Sequence, residues 1–224
     1  MIRDWANKKQ LAFSLVLSSL VGIGFFIYCA AIDHTLAYDF LLWNLVLAWI
    51  PLFISIRLVY VLGYKLWSSW EALLLSFLWI IFIPNSFYMI TDFIHLQTVP
   101  IHSLIYYVVA FTSIIYSAVL IGFISLYMIH AEFIKRFSTN TVRVLIALIL
   151  ATCSVAIYIG RDLRWDSWAV LTNPGGLIFD TSNRLIHVSD YPTAFATSSM
   201  FFILLGSMYF IAWSGVKAIK HERI

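Results

Sequence analysis

Asp92 and His95 lie three residues apart at the end of a long apolar run, and no other pair in this sequence is better equipped for chemistry. A carboxylate and an imidazole at i and i+3 of a helix can hydrogen-bond, which orients the ring. That arrangement serves a general base with its orienting partner, or two ligands of a metal ion. The alternative is a helix end whose Asp and His meet only water. The same stretch, IPNSFYMITDFIHLQ at residues 83–97, also holds Asn85 and Tyr88. At 100° per residue Asn85, Tyr88, Asp92 and His95 fall within an arc of about 80°, on a stripe about 15 Å long. Pro84 removes a backbone donor and frees a carbonyl near Ile80, and Asn85 is placed to repair that defect.

A second group is IGRDLRWDSW at residues 159–168. On a helix Arg161, Arg164, Trp165 and Trp168 share one face, while Asp162 and Asp166 point away. Two guanidiniums between indole rings suit a phosphate or a carboxylate, which they hold bidentately at any relevant pH. Internal pairing of one arginine with Asp92 is the competing use. Asp92, His95 and His102 make up a ligand set for zinc or another divalent ion, with His34 or His187 in reserve. No HExxH, paired CxxC, serine elbow, Walker loop or dinucleotide fingerprint accompanies them.

These residues need elements to carry them. The chain has 224 residues, 62% hydrophobic and 11% charged, with a mean hydropathy of +0.91. So little charge on a chain of this length makes lipid the solvent for most of its surface. Six apolar runs, near 10–32, 40–62, 72–94, 103–131, 142–161 and 193–215, reach the roughly 20 residues a helix needs to cross a bilayer core. Lipid leaves no partner for free backbone groups, so runs without alternation must be helices. The expectation is an all-α, six-helix membrane bundle, a single integral-membrane domain over residues 1–224. The first run is too long for a cleaved signal and reads as a retained helix. Cys29 and Cys153 sit inside apolar runs, as buried free thiols.

Positive charge sets the orientation. Arg3, Lys8, Lys9, Arg57, Lys65, Lys135, Arg136, Arg143, Lys217, Lys220 and Arg223 fall on one side, eleven of the fourteen cations. Both termini are therefore expected in the cytoplasm of a multi-pass cell-membrane protein, with Trp67 and Trp70 as an inner interfacial belt. The other side gathers Asp33, His34, Asp39, Asp92, His95, His102, Asp162, Asp166, Asp180, His187 and Asp190. The net charge of +3 follows from the inner cations and implies no nucleic acid. Residues 169–192 form the longest outer connection. Its TNPGG turn precedes GLIFDTSNRLIHV, a segment patterned to lie on the membrane or fold back as a lid, with His187 and Asp190 in reach.

The two polar stretches resemble an uncharacterised family of bacterial integral-membrane proteins, of the DUF1361 type, with motifs PNxPYxxTDxxHL and GRxLRxNSW. Matching residues are Pro84, Asn85, Tyr88, Thr91, Asp92, His95 and Leu96, then Gly160, Arg161, Leu163, Arg164, Ser167 and Trp168. Phe87 replaces a proline of the pattern and Asp166 replaces an asparagine, which argues against Asp166 as an obligatory carboxylate. The resemblance supports the choice of residues and implies no activity.

The resulting expectation is a polar site at the outer face. Asp92 and His95 act as an acid/base pair or metal ligands, and Arg161 and Arg164 hold an anionic group beside Asn85, Tyr88, Trp165 and Trp168. A membrane lipid or lipid-linked anionic substrate reaches such a site by lateral diffusion, for hydrolysis or group transfer. The rivals are a non-enzymatic structural or accessory protein and a proton-coupled carrier, although the helices lack the deep ionisable groups a carrier needs. For the orientation, a cysteine placed at residue 175 or 183 should react with an impermeant reagent on intact cells, whereas tags at either terminus should stay protected. Labelled termini would invert the topology.

Overall fold

Lipid offers no hydrophobic drive between helices, so close packing and interhelical hydrogen bonds must hold the bundle. The structure is a computed structural model describing residues 2–162, 172–186 and 191–221, and among these no strand forms. Helices α1 (Ile2–Asp33), α2 (Phe40–Val61) and α3 (Trp70–Tyr88) are followed by a 3-10 helix (Met89–Thr98). Then come α4 (Leu104–Ile134), α5 (Thr139–Asp162), α6 (Pro174–Ile186) and α7 (Pro192–His221). Six of these rods, all but α6, are long and apolar enough to cross a membrane, as the run lengths required.

Helix α4 is the axis. Its span is the most deeply buried of the six, with α1, α2 and α3 packed round it and α5 joined chiefly to α3 and α7. Apolar residues all round a helix are expected only where it is enclosed, and α4 buries Tyr107, Phe111, Ile114, Ile121 and Leu126 on several faces. Gly122 makes the tightest approach: a Cβ there would lie 2.6 Å from Ser86 Cβ on α3. Hydroxyls lock the same seam. Ser86 donates to the Ala48 carbonyl at 3.1 Å and Ser125 to the Pro51 carbonyl at 2.9 Å, both on α2, while Trp79 Nε1 donates to Ser125 at 2.8 Å.

The third rod departs from the expected α-helix over 72–94. It turns into a 3-10 helix after Tyr88 and runs on to Thr98. Thr91 and Thr98 mark the reason, since each hydroxyl donates to the carbonyl three residues back, on Tyr88 and His95, at 2.8 Å. Pro100 then forces Val99 into extended backbone and ends the rod. In the long connection after α5, residues 174–186 form α6, which rests on α5 through Arg184 Nη1 donating to Tyr158 Oη at 3.0 Å. Cys29 and Cys153 are free and buried, so they leave a low background for cysteine labelling.

At the end where α2 meets α3, Arg57 and Lys65 both engage Glu71, at 2.6 and 2.7 Å. On α4, Glu132 binds Lys135 and Arg136, each at 2.5 Å. Glu71 and Glu132 at this end are thus each matched by two cations. Gly122→Ala should destabilise the detergent-solubilised protein by about 1–3 kcal/mol, because Ser86 and Phe87 must give way. Gly24→Ala, which meets nothing within 4 Å, should be neutral or slightly stabilising. Thermal unfolding of the two variants checks the difference.

Candidate functional site

The register that Ser86 and Gly122 impose on α3 carries the far end of that rod over the first turns of α2. There Asp92, only 1% exposed, accepts a hydrogen bond on Oδ2 from Asn44 Nδ2 at 3.0 Å. His95 is half-buried on the same face, because three residues make a full turn of a 3-10 helix. Its ring lies 4.7 Å from that of Phe40, on the first residue of α2. From the far side α5 delivers Arg161, whose Nη1 stands 3.4 Å from His95 Nε2. The guanidinium's charge acts on both Asp92 and His95.

Three of the expected residues, Asp92, His95 and Arg161, therefore meet, from two elements distant in sequence. Arg164, Trp165 and Trp168 lie outside the described residues, as do Asp166, His187 and Asp190. The expected hydrogen bond between Asp92 and His95 is not formed, since Asn44 occupies the carboxylate and Arg161 faces the imidazole. Arginine can only donate, so as a hydrogen bond this contact assigns Nε2 of His95 as the acceptor, in the tautomer protonated on Nδ1. Asn85 donates to the Phe82 carbonyl at 3.1 Å, three residues back, where the proline defect had pointed to Ile80. Tyr88 is half-buried against the core where the rod changes from α to 3-10, and its carbonyl accepts from Thr91.

His102 belongs to a different cluster. Beyond the Pro100 turn, its Nε2 lies 3.3 Å from Asp33 Oδ1 at the end of α1, and Ser103 donates to Asp33 Oδ2 at 2.7 Å. The ligand set of Asp92, His95 and His102 is thus divided between two places. Among the described residues no three His, Cys, Asp or Glu side chains lie together as a metal site. Asn44 is the partner that sequence reasoning missed. Its signal was present: it is the only amide in the 22-residue α2, where a lone polar group in lipid needs a mate.

Chemically, the arrangement offers a guanidinium directed at a half-buried imidazole, with a buried carboxylate nearby. A family model described as "Protein of unknown function (DUF1361)" matches residues 43–211, a range that takes in Asn44, Asp92, His95 and Arg161. No curated protein and no solved structure matches the chain. Replacing Asn44 with Leu should cost about 1–3 kcal/mol, because Asp92 is left buried without its donor. Asn44→Leu combined with Asp92→Leu should cost less than the sum of the two single changes, in a thermal-unfolding double-mutant cycle.

Proposed function

The chain belongs to the DUF1361 family of proteins of unknown function, and within that frame we propose that it hydrolyses or transfers groups on a lipid or lipid-linked anionic substrate. On this reading it is a cell-membrane protein with both termini in the cytoplasm, and the cluster of Asp92, His95 and Arg161 works at the extracytoplasmic face. One observation supports the reading most: Arg161 points at the His95 imidazole, while the nearby carboxylate is held by an uncharged amide. A guanidinium so placed still has an anion to gain.

A phosphate or carboxylate entering this position takes the Arg161 donors and leaves His95 Nε2 free to accept a proton. Water then gives that proton to His95 as its oxygen bonds to phosphorus or acyl carbon. The bond to the leaving oxygen breaks, and His95 returns the proton to that oxygen, so atoms and charge balance. Asp92 stays buried and sets the local field. Arg164, Trp165 and Trp168, from the sequence pattern alone, are the further residues proposed for substrate contact, with Asn85 and Tyr88 on the third rod. The Asp92–Asn44 bond also favours a second reading, a non-enzymatic clamp that fastens α3 to α2 in an accessory protein.

The readings separate on incubating purified protein with a total membrane-lipid extract and following each lipid by mass spectrometry. One anionic species should be consumed by the unmodified protein and not by His95→Ala or Arg161→Ala, both of which should still insert and purify. An unchanged lipid profile, or equal turnover by the variants, would leave the clamp.

A further inference from the structure

The other end of the bundle holds a cleft that the outer cluster does not use. It has a volume of about 350 Å³, and its walls include Leu58, Trp67, Trp79, Phe133, Leu148 and Thr152. That size falls within the range of ligand pockets, about 300–1,000 Å³. Its mouth opens sideways: Leu148 is 59% exposed and Thr152 is exposed beside it, on the middle of a membrane-spanning helix. The cleft therefore faces hydrocarbon.

The polar atoms in the walls already have partners within the protein. Thr152 donates to the Leu148 carbonyl at 2.9 Å, and Ser76 to the Ala72 carbonyl at 2.7 Å. Trp67 Nε1 donates to Ser76 at 3.0 Å, and Trp79 Nε1 to Ser125. The surface left for an occupant is apolar, which selects an alkyl chain over a polar ligand. The rim has the opposite character. Trp67 stacks on Phe133 with ring centres 5.2 Å apart, and the Arg136 guanidinium lies over Trp67 at 5.6 Å. Arg136 and Lys135 share the single carboxylate of Glu132, so two cations and one acid leave a surplus positive charge above the apolar slot.

We infer that this cleft is a binding site for an anionic diacyl phospholipid. One acyl chain lies between α3 and α5 along the walls, and the phosphate sits at Lys135 and Arg136. An alkyl chain fills the slot without an unmet hydrogen bond, and the rim charge discriminates among headgroups. The site lies at the opposite end of α3 from Asp92 and does not depend on any activity there.

Native mass spectrometry of delipidated protein, given equal phosphatidylglycerol and phosphatidylcholine, reads this directly. One phosphatidylglycerol should be retained in preference. Lys135→Gln, which keeps the Arg136–Glu132 pair, should lower that preference about fivefold, the effect of removing one interfacial cation. Leu148→Trp with Thr152→Phe fills the mouth and should abolish retention. In the unmodified protein, phosphatidylglycerol with a photoreactive acyl chain should label residues 145–152 and 76–80, a result that requires no variant to fold. Equal retention of the two lipids, retention by the filled variant, labelling confined to α1 or α7, or a second copy cross-linked through the cleft would each overturn the assignment.

Discussion

The seam at Gly122 holds the register on which both ends of the bundle depend. With no side chain there, α3 approaches α4 so closely that Ser86 and Phe87 touch the glycine. The Ser86 and Ser125 hydroxyls then reach the carbonyls of α2. Three helices are thereby held in a single axial register, in a medium where apolar side chains gain little by preferring one another to lipid. The antiparallel register that pairs Ser86 with Ala48 also brings Asp92 to Asn44. A polar site in this setting is a consequence of backbone proximity several residues away.

The two ends of the bundle treat their acids differently. Glu132 has two cations at close range, and Glu71 likewise has two, so these carboxylates are saturated by charge. Asp92 is more deeply enclosed and bonds a neutral amide, while the nearest described cation turns toward an imidazole. A carboxylate saturated in this way is fixed in place, and any surplus charge lies on its cations. A guanidinium facing an imidazole keeps capacity for another anion, and that asymmetry supports the proposed site at the Asp92 end.

The spanning helices were legible because lipid reduces the problem to run length, and the boundaries moved by only a few residues. The change of helix type after Tyr88 was not, since it depends on threonine hydroxyls competing for local carbonyls, which spacing at 100° per residue cannot register. His102 was grouped with Asp92 and His95 as a ligand set for a divalent ion. Val99 and Pro100 turn the chain away, and Asp33 from another helix takes it. Arg161 was found because arginines are rare on that face. Asn44 was missed because a single amide inside an apolar run looks like noise until its partner is known.

Helix α6 bears on how a substrate would arrive. Arg184 ties it to Tyr158, one turn before Arg161 on α5, so α6 lies close to the cluster. Its other side carries Phe179, 69% exposed, and an amphipathic helix presenting a phenyl ring outward is suited to the headgroup boundary. On the proposed function, the headgroup of a lipid-anchored substrate would travel at that boundary, where the 3-10 helix and the end of α5 bring His95 and Arg161 together. An α6 tied beside Arg161 in this way fits, on that proposal, a lipid-borne anion better than a freely soluble one.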